Sequence, residues 1–240
     1  MALLGTAALA MWWEVEPQHS REFQHWHSHE HLPERLGIPG FLRATRWRES
    51  GGGRGVFVTY ELADPSVLSS QAYLERLNSP TPWSTRMMPL HRNMIRSQCE
   101  VLASRGAYAA SHLVTVRLSP EPAQAADGLR AALHSLISDV PLRPGVSGAH
   151  LLRHRPPPIS QTTEQKIRGG DQAADWVLLV SGHDRMVLED LARGELSPEL
   201  LAARGARDVA HGLYELAVSA VPADLGDVGG VTDPQTFRPA

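Results

Sequence analysis

The stretch that decides the fold is residues 23–41, FQHWHSHEHLPERLGIPGF, which predicts a helix followed by a sharp turn into a strand. Phe23, Trp26, His27 and Glu30 recur at the i, i+3, i+4 and i+7 spacing of one helical face. We expect Ser20 to be the N-cap of this helix. Pro33 either ends the helix or begins a new turn, since a proline lacks the N–H that a helix interior requires.

The elements around this stretch predict a β-α-β-β-α-β order for the first half of the chain. Alternating apolar residues and turn residues mark the strands, and apolar residues at helical spacing mark the helices. The predicted strands are residues 5–16, Phe41–Glu49, Val56–Leu62 and Ile95–Ala103; the second helix is Ser66–Leu77, and residues 79–89 form an irregular link.

The second half predicts the same order of elements. Its strands are Tyr108–Leu118, Val146–Arg153, Trp176–Ser181 and Gly212–Val221, and its helices are Ala123–Ile137, Met186–Arg193 and Pro198–Arg204. Pro39-Gly40 corresponds to Pro144-Gly145, and the two halves differ in length only within loops. We therefore expect two units, residues 1–105 and 106–223, followed by an extended tail, 224–240; chance similarity of two α+β patterns is the alternative.

This pattern predicts an α+β fold made of two ferredoxin-like units. Each unit would place a four-stranded antiparallel sheet against two helices. The bare faces of the two sheets could then cover each other, which closes a dimeric α/β-barrel-type pseudo-dimer with the helices outside.

Composition excludes several classes of function. The net charge of −3 argues against a nucleic-acid partner, and no apolar run reaches the roughly 20 residues that span a membrane. A single cysteine, Cys99, precludes an intrachain disulfide and a thiolate-rich metal site. The only lysine, Lys166, lies in a polar segment that reads as a loop, which disfavours lysine chemistry. The apolar start reads as a first strand rather than a signal peptide, and we expect a cytoplasmic protein.

Residues 23–41 together with Arg46 resemble the W…eHlPeRl.vPGF…R signature of the dimeric α/β-barrel superfamily, and the nearest branch is the tandem EthD-like proteins. The resemblance implies the fold described above, with a range of activities that includes cofactor-free monooxygenases, lactone isomerases and haem-binding enzymes. The second half lacks the histidine-rich helix, and Leu151 stands where Arg46 would have its counterpart. A single site should therefore belong to the first half.

The resemblance and the residue chemistry make His31, Glu30 and Arg46 the catalytic candidates. An imidazole at the helix end could move a proton to or from a bound organic molecule. Glu30 could orient His31 or act as the base, and Arg46 could hold an enolate or a carboxylate. The structural alternative is that His31 and Glu30 only tie the helix end to the sheet while Arg46 forms a salt bridge.

Aromatic and histidine side chains supply the candidate ligand-binding residues, which are Trp26, His27, Trp47 and Tyr60. The function they favour is an EthD-like enzyme that acts on a small hydrophobic or aromatic metabolite, like a monooxygenase or an isomerase. The alternative is a non-catalytic ligand-binding protein of the same fold. We expect a small-molecule ligand and no nucleic-acid or membrane partner, and leave a homodimer open.

No cofactor and no metal is predicted, although two weaker hypotheses remain. His27 and His31 have the i, i+4 spacing that places two imidazoles on one helical face, as a divalent metal requires, but a third ligand is not evident. Haem would need an axial histidine, and His112, His150 and His183 lie on or near second-half strands with no pattern that selects one.

Overall fold

A computed structural model describes residues 2–121 and 126–225 of the chain. The eight strands are β1 (Ala7–Glu14), β2 (Phe41–Glu49), β3 (Gly55–Leu62), β4 (Arg92–Gly106), β5 (His112–Pro120), β6 (Val146–His154), β7 (Trp176–Gly182) and β8 (Ala206–Ala220). The helices are α1 (Pro17–Trp26), α2 (Leu32–Leu36), α3 (Gln71–Asn78), α4 (Pro82–Met87), α5 (Ala126–Asp139), α6 (Thr163–Arg168), α7 (Arg185–Arg193) and α8 (Pro198–Ala203). None of the helices in these two ranges has the length and apolar character needed to cross a membrane.

The strands form one closed antiparallel barrel in the order β1-β3-β2-β8-β5-β7-β6-β4. Each half contributes a ferredoxin-like run, β4-β1-β3-β2 and β8-β5-β7-β6. The outer strands of one run pair with those of the other, β2 with β8 and β4 with β6. Because every sheet edge is paired, the barrel closes with the helices outside, which confirms the predicted fold class.

Because side chains point alternately to the two faces of each strand, the barrel has three apolar layers. One layer lies between the first-half strands and their helices and includes Trp13, Phe23 and Trp26. A second layer, around Leu133, occupies the same position in the other half. The third fills the barrel interior and includes Trp47. Successive strand residues point to opposite faces, so each strand supplies both the interior and one outer layer.

The segment from α1 to α2, residues 17–36, is helical without a break and packs on the first-half sheet; we call it the rod. Residues His27–His31 between the two helices adopt a π-helix, and Pro33 lies in the first turn of α2. Pro33 therefore begins a turn and does not end the rod. A π-turn adds a residue and turns the side chains that follow, a feature frequent at functional sites.

Several sequence-based boundaries are wrong for local reasons. Ser20 is not an N-cap, because α1 begins at Pro17, whose fixed φ suits a first helical position. The predicted helix 66–77 is two pieces, a 3₁₀ turn at Pro65–Ser69 and α3, which Ser70 caps by accepting a hydrogen bond from the Tyr73 N–H. The link 79–89 contains α4, which Thr81 caps in the same way.

The second half departs from prediction in three places, the first being β5, which begins at His112 and not at Tyr108. β8 begins at Ala206 and not at Gly212, because its pairing with β5 extends to Ala206 opposite Pro120 although the intervening residues are polar. The polar segment 155–175, read as a loop, contains α6, so Lys166 is helical. The predicted start of α5 at 123–125 and most of the tail, 226–240, lie outside the described residues, and Pro222–Leu225 form a 3₁₀ turn.

The same segment 155–175, which we call the insertion, reaches across to the first half. The Arg96 N–H donates to the Gln172 carbonyl at 2.7 Å, and the Gln172 N–H donates to the Met94 carbonyl at 3.1 Å. The Thr163 N–H donates to Asn78 Oδ1 at 3.1 Å. These bonds hold α6 beside α3 and the start of β4, and they bring second-half side chains to the first-half sheet.

Candidate functional site

A small cavity of about 30 Å³ lies between the first-half sheet, the π-helical segment and the insertion. Its polar lining consists of three histidines, three arginines, two tyrosines and one glutamate. They are His27, His31, His91, Arg35, Arg96, Arg168, Tyr60, Tyr73 and Glu164. Met11, Met88 and Met94 supply much of the apolar wall. Only His27, His31 and Tyr60 of this set were among the residues predicted from the sequence.

The three imidazoles form a cluster enclosed by aromatic rings. The rings of His27 and His31 are 5.6 Å apart, one turn along the rod. His31 lies 4.6 Å from the Trp26 ring, and His91, which precedes β4, lies 4.7 Å from the Trp13 ring. Stacking on these rings fixes the orientation of each imidazole without a hydrogen bond to its nitrogens.

Most of the ring nitrogens in this cluster have no hydrogen-bond partner. Both nitrogens of His27, both of His91 and Nδ1 of His31 are buried and unpaired within the described ranges. The His31 side chain retains 11% of its accessible surface, so it reaches the edge of the enclosed cluster. Since a buried polar group without a partner costs about 1–3 kcal/mol, such a concentration indicates a place prepared for another molecule.

Burial keeps these imidazoles neutral. Loss of solvation, with a smaller contribution from the nearby Arg168 charge, lowers the pKa of His91 to about 3. The pKa values of His27 and His31 are also lowered by burial and then by neighbouring arginine charges, Arg46 for His27 and Arg35 for His31. A neutral imidazole carries a free lone pair that can accept a proton.

Two of the arginines are neutralised by a buried ion-pair network. Arg35 pairs with Glu164 of the insertion, and both side chains are almost completely buried. Arg168 pairs with Asp171 at 2.8 Å and approaches Glu164 at 3.6 Å. The network clamps the insertion onto α2, because removing one member would leave a buried charge without its counterion.

Arg96 differs from these two arginines. It is 7% exposed, and its guanidinium donates to the Tyr73 hydroxyl at 2.7 Å. In the parts of the chain that the structure describes, no carboxylate lies within ion-pair distance of Arg96. Its charge is therefore available to an anion that enters the cavity.

Glu30, predicted to work with His31, faces another environment. Its Oε1 accepts hydrogen bonds from Trp26 Nε1 at 3.1 Å, Thr81 Oγ1 at 2.5 Å and Ser84 Oγ at 3.2 Å. It ties the rod to α4 and does not line the cavity. The carboxylate nearest to His31 is Glu34, whose Oε2 lies 4.0 Å from Nδ1.

Arg46 and Trp47 also lie away from the cavity, on opposite faces of β2. Arg46 projects to the outer face, where its Nη1 donates to the Gln24 carbonyl at 3.3 Å. Trp47 points into the barrel, where its Nε1 donates to the Tyr108 hydroxyl at 3.2 Å. The expected convergence of His31, Glu30 and Arg46 on one cavity is not found. Adjacent residues of a strand face opposite ways, so the side chains of Arg46 and Trp47 project to opposite faces of the sheet.

Sequence reasoning missed the residues that arrive from distant segments, above all His91, Arg96 and Arg168. The short run His91-Arg92-Asn93 before a strand was the one local signal, because it places an imidazole at the strand start. Nothing local indicated that the insertion would pack on the other half.

The metal hypothesis gains no ligand set among the described residues. Within residues 2–121 and 126–225, no group of three histidine, cysteine, aspartate or glutamate side chains is arranged to hold a metal ion. His150 lies inside the barrel, where its Nδ1 hydrogen-bonds with Ser104 Oγ at 2.8 Å.

Comparison with solved structures gives the fold independently. An anthrone oxidase-like protein superposes with a TM-score of 0.64 at 10% identity, over 92% of this chain and 97% of the other. A candidate monooxygenase of Fusobacterium nucleatum superposes with a TM-score of 0.60 at 10% identity, over 90% and 95%. A candidate monooxygenase of Lactobacillus acidophilus gives 0.54 at 8% identity, over 90% and 97%. No family model and no curated protein matches the chain.

Proposed function

We propose that this protein, which has the dimeric α/β-barrel fold of monooxygenase-type proteins, is an enzyme that takes a proton from a small hydrophobic or aromatic substrate. The substrate would be a ketone or phenol-like molecule with a weakly acidic C–H or O–H bond. The chemistry would occur in the cavity of His27, His31 and His91. This hypothesis keeps His31 as the acid/base group and does not rely on Glu30 or Arg46, which face elsewhere.

The observation that carries the proposal is the accessible, neutral imidazole of His31. The His31 side chain is 11% exposed, and the Trp26 ring lies 4.6 Å from it on one side. A base must be unprotonated when the substrate binds, and burial satisfies this condition across the neutral pH range.

Arg96 supplies a positive charge for the anion that proton removal would leave. Removal of a proton leaves an enolate or phenolate, and a buried guanidinium with no carboxylate partner would stabilise that anion. The Tyr73 hydroxyl, which accepts from Arg96 at 2.7 Å, holds the guanidinium in place. Two reactions could follow such a proton abstraction. In an isomerisation the proton returns at another carbon, and in an oxygenation the carbanion reacts with dioxygen.

The cavity must enlarge to admit an aromatic ring. At about 30 Å³ it holds one or two water molecules, whereas sites for organic ligands are roughly ten times larger. Met11, Met88 and Met94 line it, and unbranched methionine side chains change rotamer readily. The small volume also supports the second candidate, a non-catalytic protein that binds a compact ligand among the imidazoles.

Proton exchange in D₂O tests the proposal. Purified protein would be incubated with 2-indanone or anthrone, and loss of the acidic C–H signal followed by NMR. We expect exchange above the buffer rate, and a loss of about 100-fold or more in His31→Gln, the usual contribution of a general base. His183→Gln, at an exposed second-half position, is the matched control.

Two outcomes would contradict the enzyme hypothesis. Undiminished exchange in a folded His31→Gln variant would remove His31 as the base. Binding of either ketone without any exchange would instead favour the non-catalytic ligand-binding protein.

A further inference from the structure

We propose that the chain has a second binding site, an open cleft at Arg46 that takes a small organic monocarboxylate. This cleft has a volume of about 820 Å³ and lies between the two halves of the molecule. The first half supplies α1 and the β2–β3 turn, and the second half supplies β8 and α7. Its volume is in the range of sites that bind organic molecules.

Arg46 is the polar centre of this cleft. The residue is 7% exposed, and its guanidinium makes one long hydrogen bond, to the Gln24 carbonyl at 3.3 Å. Burial lowers the pKa of Arg46 to about 10, because no carboxylate in the described ranges lies close enough to offset the loss of solvation. Most donors of a guanidinium fork are thus left for a ligand, and a carboxylate matches that fork with two parallel hydrogen bonds.

The other arginines that line the cleft are already paired with carboxylates. Arg48 binds Glu215 at 2.8 Å, and Arg54 binds Glu16 at 2.9 Å. Arg185 binds Glu189 at 2.7 Å. An incoming anion would have to displace a carboxylate from these pairs, whereas Arg46 has no carboxylate partner among the described residues.

The surroundings of Arg46 define the rest of the ligand. The Arg46 guanidinium lies 5.8 Å from the Phe23 ring centre, and Val15 and Val56 flank the same wall. A short aliphatic or aromatic body would cover these surfaces. Glu49 lines the cleft as well and has no ion-pair partner among the described residues, so its negative charge disfavours a dianion such as phosphate. One negative charge on an apolar body fits best.

This cleft is separate from the imidazole cavity. Strand pairing places Arg46, Val58, Met11 and Arg96 in one row across the sheet. With neighbouring strands about 4.8 Å apart, Arg46 and Arg96 lie roughly 14 Å from each other. Phe23 lines the cleft with Arg46, whereas His27, whose ring lies 5.5 Å from the Phe23 ring, lines the imidazole cavity with Arg96.

Calorimetric titration of the full chain with sodium benzoate tests this site. We expect benzoate to bind, and the neutral analogue benzamide to bind about tenfold more weakly or not at all, since a charge-assisted pair contributes about 1.5 kcal/mol or more. Arg46→Gln should weaken benzoate binding by about tenfold, and Arg46→Lys should restore part of it, because it keeps the charge and loses the fork.

Two controls separate this site from its neighbours. Arg48→Gln removes an exposed, paired arginine of the same strand and should change affinity less than about twofold. Arg96→Gln tests the imidazole cavity and should also leave benzoate affinity unchanged. Equal affinity in wild type and folded Arg46→Gln, loss of binding in Arg96→Gln, or no binding up to about 20 mM benzoate would each overturn the proposal.

Discussion

Replacing His91 with phenylalanine should make the protein markedly less sensitive to acid. The His91 imidazole stacks on Trp13 and lies among Phe23 and Trp26, and neither of its nitrogens has a partner in the described chain. A phenyl ring fits this aromatic surrounding and cannot take a proton. At pH 7 the variant should be as stable as wild type or more stable, by up to about 1–3 kcal/mol, because two unsatisfied buried atoms are removed.

The magnitude at acid pH follows from the lowered pKa of His91. In the unfolded chain the imidazole takes a proton near pH 6.5, whereas in the folded protein its pKa is about 3. Between these values the unfolded state binds more protons, so stability is full above pH 6.5 and falls as the pH decreases. Linkage gives a loss of about 2 kcal/mol between pH 7 and pH 5 from this histidine alone.

Urea denaturation at pH 7, 6 and 5, at fixed ionic strength, measures the effect. The loss between pH 7 and pH 5 should be about 2 kcal/mol smaller in His91→Phe than in wild type. His183→Gln, which changes an exposed histidine, should retain the wild-type loss. An equal loss in wild type and His91→Phe would refute the reasoning. So would a pH 7 destabilisation above about 2 kcal/mol, which would reveal a partner for the imidazole.

Two further changes test the contacts around the rod. Arg35→Gln should destabilise the protein by about 3–5 kcal/mol in urea denaturation, because the buried Glu164 loses its close partner and keeps only Arg168, at 3.6 Å. Arg54→Gln, in an exposed pair, should change stability by less than about 1 kcal/mol, and similar values for both variants would contradict the clamp. Glu30→Ala should lower stability by about 1–3 kcal/mol, because it removes three hydrogen bonds to the Glu30 carboxylate and leaves the Trp26 N–H with only the Ser84 hydroxyl as acceptor. It should leave ketone exchange per folded molecule unchanged, and a selective loss of exchange would restore Glu30 to the catalytic group.

The fold was predictable because its determinants are local. Pro39-Gly40 and Pro144-Gly145 mark equivalent turns before equivalent strands, and both Gly40 and Gly145 have φ near +90°, which favours glycine. Alternation then gave the strands, and the repeated order gave the closed barrel. The boundaries were predicted wrongly where polar residues occur within a strand, as at the start of β8.

The site was predictable only in part. His31 and His27 lie on the histidine-rich rod, and their inward direction follows from helical spacing with Phe23. Arg46 was chosen from the family signature. The alternation of β2 places the side chains of Arg46 and Trp47 on opposite faces of the sheet. His91 and Arg96 reach the cavity through tertiary packing, and no periodic pattern in the local sequence predicts that packing.

The insertion shows what a covalent link between two similar halves permits. In an assembly of two identical chains, any inserted segment appears twice and must suit both copies. Here the segment 155–175 exists once and donates Glu164 and Arg168 to a chamber built by the other half. Joining the halves in one chain thus allows them to differ, so that one half provides the three histidines of the cavity and the other half provides the segment that covers them.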